Sequence, residues 1–299
     1  MQVFFVFTHK GFPMKTFLFL DFFFSLLLGL AGCGKTEETI TPDLTQEVAP
    51  VKKPVVPLIS EASGIADSKT IPGHLWVQED SGNPAQLYLL KHDGTVSKKV
   101  FIKGARNRDW EDMALHDGQV YLADIGDNNR TVKEYFIYHF PEPSRATDTV
   151  QNVSVIRFQY PDGSHDAEAF LIDPKTKDIL LFTKTDTLSR IYKITHPFSS
   201  TSLNSAKLVG NLPYSYVVSA TLAPNGKEAL VKTYGALYHY NQKANEPLEE
   251  YLLKDFETWP YSIEPQGEAV TFAAADSGYF TLSEKGLASA VNLYFYKKN

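Results

Sequence analysis

The nine residues "WEDMALHDG" (110–118) decide the fold, because variants of this stretch recur along the chain. Four other stretches align with it: "SEASGIADS" (60–68), "DAEAFLIDPKTKD" (166–178), "VSATLAPNGKE" (218–228) and "GEAVTFAAADSG" (267–278). The residues that we align at one position of the pattern are spaced by 50, 57, 51 and 49 residues: Glu61, Glu111, Glu168, Ser219 and Glu268. A period of about 50 residues is typical of architectures in which each repeat is one small structural unit.

Each repeat contains strand-like runs in the order of a propeller blade. The aligned stretch is followed by an alternating apolar run such as "QVYLADIGD" (119–127), and then by an aromatic-rich run such as "YFIYHF" (135–140). D-G, N-G and D-P turns separate the runs, and a fourth run such as "SKKVFI" (97–102) is visible in most repeats. The sequence therefore predicts an all-β fold, a β-propeller over residues 57–299 with five blades, or six if one set of strands is miscounted.

The last repeat ends at Asn299 without a fourth strand. We expect "PVVPLI" (54–59), which precedes the first repeat, to supply this strand and to close the ring. Closure pairs the two sheet edges that an open array would leave exposed.

Composition limits the class of function. The chain has 43 % hydrophobic and 13 % aromatic residues, enough for a large core, and a formal net charge of −6. An acidic chain without a basic run is not expected to bind nucleic acid. The single cysteine, Cys33, rules out an internal disulfide framework and a cysteine-based zinc site.

The stretch "GLAGCGKT" (29–36) fits two motifs with different consequences. Read as G-x-x-x-x-G-K-[ST], it is a phosphate-binding loop, which needs a helix behind it. The residues that follow are polar and rich in proline, and they predict a linker instead. Read as "LAGC" behind an apolar run, it resembles a bacterial lipobox. We therefore expect residues 1–32 to be a lipoprotein signal peptide, Cys33 to be lipidated, and residues 33–56 to be a flexible linker.

The N-terminal assignment implies a location. A start at Met14 gives a regular signal peptide, with Lys15 before the apolar run, so the start codon stays open between Met1 and Met14. The charged residues after Cys33 resemble the export signals of Bacteroidota-type lipoproteins. That resemblance implies a protein of the cell envelope, anchored to the outer membrane by lipid and facing away from the cytoplasm. An uncleaved membrane anchor is the alternative.

Carboxylates recur at the aligned position of the repeat. In a propeller the first strand of each blade lines the central channel, so the aligned residues should form a ring. Carboxylates at close quarters repel one another, and a Ca²⁺ ion, which takes about six to eight oxygen ligands, neutralises them. We predict a calcium site with these ligands: Glu61, Glu111, Glu168, Glu268, Asp112 and Asp166. A salt-bridged or protonated network of carboxylates is the alternative.

Charged residues also lie in the turns after the second strand of each blade. "ADIGDNNR" (123–130) carries Asp127 and Arg130, and an Asx-type turn is its structural interpretation. Its functional interpretation is a site at the channel mouth, where mixed charges grip a phosphate or an acidic sugar. The predicted ligand-binding residues are Asp80, Asp127, Arg130, Lys184, Arg190, Lys232 and Glu284.

Four short motifs resemble those of a known group of proteins. "EASGIA" (61–66), "DWEDMA" (109–114), "DAEAF" (166–170) and "QGEAV" (266–270) are similar to the Glu-bearing blade motifs of SdiA-regulated and phytase-like β-propeller proteins. The resemblance implies a calcium-associated channel and an extracytoplasmic setting. It does not fix an activity, because such propellers include phosphoesterases and proteins with no known reaction.

Two functions follow from these expectations. The first is a lipid-anchored, calcium-associated protein that binds a protein, glycan or phosphate-bearing ligand. The second is a calcium-dependent hydrolase of phosphate esters. The chain has no G-x-S-x-G, H-E-x-x-H or G-x-G-x-x-G motif. With about one basic residue per blade near the proposed ring, the sequence favours binding and leaves open whether the protein is an enzyme.

Overall fold

Twenty-two β-strands and one short helix make up the regular structure of residues 49–184 and 186–298, the part of the chain that the computed structural model describes. The predicted signal peptide (1–32), Cys33 and most of the predicted linker lie outside the described residues. Among the residues described, no helix is long and apolar enough to cross a membrane.

The strands form five sheets, each with its strands ordered from the innermost outwards. Blade 1 contains β2 (Ala62–Asp67), β3 (His74–Glu79), β4 (Gln86–Lys91), β5 (Val96–Ile102) and β9 (Thr149–Val150). Blade 2 contains β6 (Trp110–His116), β7 (Gln119–Asp124), β8 (Tyr135–Pro141), β10 (Ser154–Gln159) and β14 (Asn204–Ser205). Blade 3 contains β11 (Ala167–Ile172), β12 (Ile179–Thr183), β13 (Arg190–Ile194) and β15 (Lys207–Asn211).

Two further sheets complete the set. Blade 4 contains β16 (Val217–Leu222), β17 (Glu228–Thr233), β18 (Leu237–Asn241) and β19 (Glu257–Trp259), with helix α1 (Leu248–Tyr251) between its last two strands. Blade 5 contains β20 (Gly267–Phe272), β21 (Gly278–Ser283), β22 (Asn292–Lys297) and β1 (Val51–Pro54). Pairing is antiparallel throughout, except that β9 and β14 add to blades 1 and 2 in parallel.

The innermost strands form a closed ring. Strand β2 contacts β6, β6 contacts β11, β11 contacts β16, β16 contacts β20, and β20 contacts β2 again. The protein is therefore a five-bladed β-propeller, as the 50-residue repeat predicts. Because each inner strand starts at the same end of the ring, the loops before these strands and the loops after each second strand share one face. We call this face the channel mouth.

The ring is closed by a strand from before the first repeat, but not by the residues that we predicted. Val51–Pro54 pairs with β22, so the closing strand overlaps the predicted segment 54–59 only at Pro54. Proline has no N–H to donate, and it is tolerated at the end of an edge strand rather than inside it. Beyond Pro54 the chain turns towards blade 1: the N–H of Val55 still donates to the carbonyl oxygen of Val291 at 3.0 Å, but that of Val56 donates to the carbonyl oxygen of Gly94 at 2.9 Å. This strand lies within the segment that the sequence assigns to the linker.

The hydrophobic core is divided among the blade interfaces. Five clusters of buried side chains fill the spaces between blades 1 and 2, 2 and 3, 3 and 4, 4 and 5, and 5 and 1. Trp76 and Trp110, for example, are fully buried between blades 1 and 2. Sheets packed face to face in a ring leave only a narrow central channel, and the inner strands position side chains around it.

Candidate functional site

Each of the five inner strands contains a β-bulge next to its first residue. The bulged residues, where the register with the second strand shifts, are Ser63, Glu111, Glu168, Val218 and Glu268. A bulge inserts an extra residue into one strand and re-aims its side chain. Because the bulges recur at the same place in every blade, they define the equivalent positions of the ring.

This register corrects our alignment in two blades. Glu61 lies two residues before the bulge of blade 1, and Ser219 lies one residue after the bulge of blade 4. The residues at the bulges themselves, Ser63 and Val218, carry no carboxylate. Three glutamates, rather than four, therefore occupy equivalent ring positions. The alignment rests on the alternation of apolar residues, and this alternation does not show where a bulge adds an extra residue. The aligned positions in these two blades are therefore wrong by one or two residues.

Three carboxylates from neighbouring blades meet at the channel mouth. Asp80 follows β3, Asp109 precedes β6, and Glu111 is the bulged residue of β6. One carboxylate oxygen of each residue lies within 4.8 Å of those of the other two. The sequence predicts Asp80 and Glu111 as site residues but misses Asp109. The sequence does contain a signal for Asp109, which is its position two residues before Glu111. In an extended chain, residues two apart have their side chains on the same side.

Hydrogen bonds hold the segments that carry this cluster. The backbone N–H of Asp80 donates to the carbonyl oxygen of Glu61 at 2.8 Å, and Asn107 Nδ2 donates to the carbonyl oxygen of Asp80 at 2.8 Å. The N–H of Asp109 donates to Asp124 Oδ1 at 3.1 Å. The carboxylates are thus brought together by fixed backbone rather than by long, mobile side chains.

Gly126 leaves the space into which two of these carboxylates fit. A Cβ atom at this position would overlap Glu111 Oε1 and lie 2.5 Å from Asp109 Oδ2. Both distances are well inside van der Waals contact, so any other residue would have to displace the acidic pair. The glycine of "ADIGDNNR" thus lets the backbone approach the site closely with both carboxylates in their observed positions.

Glu111 is buried without a stabilising partner. The residue is 3 % exposed, and its carboxylate accepts no hydrogen bond from any described residue. Burial, and after it the negative charge of Glu168, raises the pKa of Glu111 well above its usual range. Burial also raises the pKa of Asp80, to about 6. Carboxylates crowded in this way repel one another, and a cation among them would offset the repulsion.

Three more carboxylates surround the cluster. Glu168 is ion-paired with Lys184, and Tyr234 Oη donates to Glu268 Oε1 at 2.6 Å. Burial, followed by the charge of Glu268, raises the pKa of Glu284 to about 8. Each of the predicted residues Glu168, Glu268 and Glu284 is thus at the mouth, and Tyr234 is a neighbour that the sequence analysis misses.

The predicted metal ligands Asp112 and Asp166 are engaged elsewhere. Asp112 accepts hydrogen bonds from Ser219 Oγ at 3.2 Å and from the N–H of Ala220 at 3.1 Å, which ties the inner strands of blades 2 and 4 across the channel. Asp166 accepts from the N–H of Asp127 at 2.9 Å. Neither belongs to the three-carboxylate cluster found among the described residues.

Asp127 stabilises the turn that follows β7. Its carboxylate accepts hydrogen bonds from the N–H groups of Thr131 and Val132 and from Tyr135 Oη, each at 2.9 Å. This is the Asx-type arrangement that the residue favours in turns. The carboxylate therefore faces its own loop and Tyr135.

The predicted cationic residues form separate groups. Arg130 and Arg190 both approach Asp186, at 3.1 and 3.7 Å. Lys232 is fully buried between blades 4 and 5, where it contacts the carbonyl oxygen of Gly267 and lies 2.9 Å from Tyr261 Oη. Burial lowers the pKa of Lys232 to about 8. The structure does not gather these cations into one anion-binding site with Lys184.

Comparison with known proteins adds little to this geometry. No protein-family model matches the sequence, and no curated protein matches it. The PQQ-bound aldose sugar dehydrogenase from Streptomyces coelicolor aligns with 83 % of this chain and 98 % of its own at 11 % identity and a TM-score of 0.48. An auxiliary nutrient binding protein from Bacteroides thetaiotaomicron aligns with 80 % of this chain and 70 % of its own at 7 % identity and a TM-score of 0.46.

A 6-phosphogluconolactonase-like protein from Bacteroides uniformis is also similar, with 79 % of this chain and 67 % of its own covered at 14 % identity and a TM-score of 0.40. Identities this low do not transfer an activity. The function has to be argued from the channel mouth itself.

Proposed function

We propose that this chain is a lipid-anchored β-propeller of the cell envelope that binds a ligand at its channel mouth, with a Ca²⁺ ion held by Asp80, Asp109 and Glu111. The observation that carries the cation is the convergence of Asp80, Asp109 and Glu111, each with one carboxylate oxygen within 4.8 Å of those of the other two. A bound cation neutralises their mutual repulsion.

The donor set favours a hard divalent ion. All three groups offer oxygen, and oxygens that share one Ca²⁺ at about 2.3–2.6 Å each cannot be more than about 5 Å apart. The observed limit of 4.8 Å satisfies that condition without movement of the backbone. Glu268, whose charge also raises the pKa of Glu111, is close enough to add to the field, and water completes the coordination shell.

A calcium titration of thermal unfolding tests this site. At a calcium concentration about a hundredfold above Kd, linkage adds about 2.7 kcal/mol to the free energy of unfolding. We expect EDTA to remove this gain and Asp109→Asn to abolish it, since the amide keeps the shape but not the charge. Asp255→Asn is the matched control, because the Asp255 side chain is 95 % exposed and remote from the mouth in its contacts.

A melting temperature that is the same in calcium and in EDTA would contradict the cation site. So would an Asp109→Asn protein that responds to calcium as fully as the Asp255→Asn control. Mg²⁺ in place of Ca²⁺ is expected to give the smaller shift, because Mg²⁺ demands a near-octahedral shell and keeps most of its water.

Binding, rather than phosphate-ester hydrolysis, is the function that the side chains support. A phosphoesterase needs cations around the metal to stabilise the transferred phosphoryl group. Here Lys184 is ion-paired with Glu168, while Arg130 and Arg190 are ion-paired with Asp186. Arg108, whose charge acts on Asp109, is ion-paired with Asp124 at 3.1 Å. An assay with p-nitrophenyl phosphate and phytate in the presence of calcium is expected to show no turnover above the Asp109→Asn background.

The membrane anchor is part of the proposal and rests on the "LAGC" stretch alone. Lipid on Cys33 would hold the propeller at the envelope surface through the polar segment that follows. Palmitate labelling in a bacterial host is expected to mark the wild-type chain and not Cys33→Ala. An unlabelled wild-type chain, or one whose mature N-terminus lies elsewhere, contradicts the anchor without affecting the cation site.

A further inference from the structure

Three loops on the side of blade 5 form a connected part of the channel mouth, which we call the blade-5 rim: residues 57–61, 260–266 and 284–291. The N–H of Glu284 donates to the carbonyl oxygen of Gln266 at 3.0 Å, and that of Lys285 donates to the carbonyl oxygen of Ser60 at 2.7 Å. Gln266 Nε2 also donates to Glu284 Oε2 at 2.9 Å. The loops before β2, before β20 and after β21 are therefore fixed to one another.

The rim is negatively charged beyond what one metal ion neutralises. Glu61 and Glu284 lie in these loops against a single cation, Lys285, while Glu264 is buried and faces the buried cation Lys232. The charges of Glu268 and Asp80 act on Glu284 from the channel side. Even with Ca²⁺ at the three-carboxylate cluster, this edge of the mouth keeps an excess of carboxylates. A surface of this kind attracts and orients a cationic partner.

The rim also exposes apolar side chains more fully than any other described part of the chain. Leu287 is 107 % exposed and Ile263 is 76 % exposed, the two highest values among the large hydrophobic residues described. Leu287 is three residues after Glu284, and Ile263 is three residues before Gln266, the partner of Glu284. Single exposed leucines are common on proteins, but two on the loops that flank one acidic group indicate an interaction surface.

We propose that the blade-5 rim docks a protein segment that presents a lysine or arginine side chain between apolar residues. This inference rests on the proposed function and names the partner class of the same mouth. The cationic head would be held by Glu284 and Glu61, and the apolar neighbours would cover Leu287 and Ile263. Free metal ions and small polyamines use only the charges, whereas a protein segment uses both features of the rim.

Calorimetric titration with two peptides tests the inference on the purified full chain. The first probe is acetyl-(Leu-Lys)₃-amide, and the second is acetyl-(Ser-Lys)₃-amide, which has the same charge and no apolar side chains. In 1 mM Ca²⁺ we expect the leucine peptide to bind at least about tenfold more tightly, the difference that burial of one leucine side chain makes. Ile263→Ser with Leu287→Ser is expected to remove that difference.

Leu208→Ser is the matched control, because Leu208 is exposed on outer strand β15 of blade 3. It should bind both peptides as the wild type does. At pH 9, above the pKa of about 8 of Glu284, Glu284→Gln is expected to weaken both peptides by a similar factor, since it removes charge and leaves the apolar residues in place. All variants change exposed or mouth positions outside the core clusters, and equal melting temperatures in EDTA verify that they fold.

Each outcome of these titrations supports or overturns the docking surface or the cation site. Equal binding of the two peptides, or tight binding by the Ile263→Ser, Leu287→Ser protein, means that the mouth attracts simple counterions only and overturns the docking surface. No binding of the leucine peptide, with the calcium shift intact, overturns the docking surface and leaves the cation site. Binding of the leucine peptide to a protein that ignores calcium supports the docking surface and overturns the cation site.

Discussion

The two ends of the central channel are built from the same five inner strands, yet they differ in chemistry. At the mouth, where these strands begin, carboxylates crowd together around Glu111. Where the strands end, a cavity of about 120 Å³ is lined mainly by apolar side chains from successive blades, among them Met113, Leu115, Leu171, Leu222 and Phe272.

The acidic groups at the two ends also differ in their partners. At the far end, Asp67 accepts from the N–H of Ala274 at 2.7 Å and lies 2.7 Å from His92 Nε2. At the mouth, Glu111 is as buried as a core residue and has no donor among the described residues. Carboxylates that converge in this way repel one another, so the mouth is the end of the channel that favours a bound cation.

Between the two ends, Asp112 provides the sharpest contrast with Glu111. The two are adjacent in sequence, both are buried, and burial raises the pKa of both, but Asp112 accepts hydrogen bonds from across the channel. Asp112→Ala removes the acceptor of the N–H groups of Ala220 and Met113 and of the Ser219 hydroxyl, which keeps its bond from the N–H of Val270. We expect a loss of about 3 kcal/mol in the free energy of unfolding, since each orphaned buried group costs about 1–3 kcal/mol. Urea denaturation in EDTA measures it, and a loss below about 1 kcal/mol would show that Asp112 does not tie the blades.

Glu111→Gln should behave in the opposite way. Without metal we expect no loss of stability, because the amide removes a buried charge that nothing compensates. With calcium at about a hundred times Kd, the gain of about 2.7 kcal/mol should be absent. Thermal unfolding of both proteins in EDTA and in calcium separates the effects. A variant that is as destabilised as Asp112→Ala in EDTA would make Glu111 a structural residue, and the contrast would disappear.

Gly126→Ala tests whether the space beside the cluster is needed. The added Cβ would displace Glu111 and Asp109, so we expect a smaller loss of about 1–3 kcal/mol, as for overpacking, together with a weakened calcium response. Gly235→Ala is the control, because a Cβ there meets nothing within 4 Å. It should be neutral or stabilising by up to about 1 kcal/mol. Equal calcium responses in the two variants would rule out a role for Gly126 in shaping the site.

The last expected effect is the pH dependence of the metal-free protein. The pKa values of Asp80 and Glu284 are raised to about 6 and about 8 from ordinary values of 3.8 and 4.5, chiefly by burial. The folded state therefore binds these protons more tightly than the unfolded state, and stability should fall as pH rises from about 4 to 8. Calcium should flatten the slope, because it stabilises the ionised carboxylates. Melting temperatures across this range, for wild type and Glu284→Gln, measure it, and a stability that rises with pH in EDTA contradicts the assignment.

The sequence by itself determines the repeat, the strand order within each blade and the face on which the carboxylates lie. Alternating apolar residues and D-G or N-G turns are local signals, and they recur with a period that a four-stranded blade requires. That is why the repeat alone is enough to predict the five blades and to place Glu111, Glu168 and Glu268 at equivalent positions of the ring.

The tertiary structure alone decides which of the charged residues act together. It places Glu61 and Ser219 one or two residues away from the equivalent ring positions, and it brings Asp109 close to Asp80. It also pairs Lys184 with Glu168, and both Arg130 and Arg190 with Asp186. It also takes the closing strand from Val51–Pro54. Bulge register, ion pairing and edge pairing depend on contacts between segments far apart in the chain, and these contacts are fixed only when the five sheets pack into a closed ring.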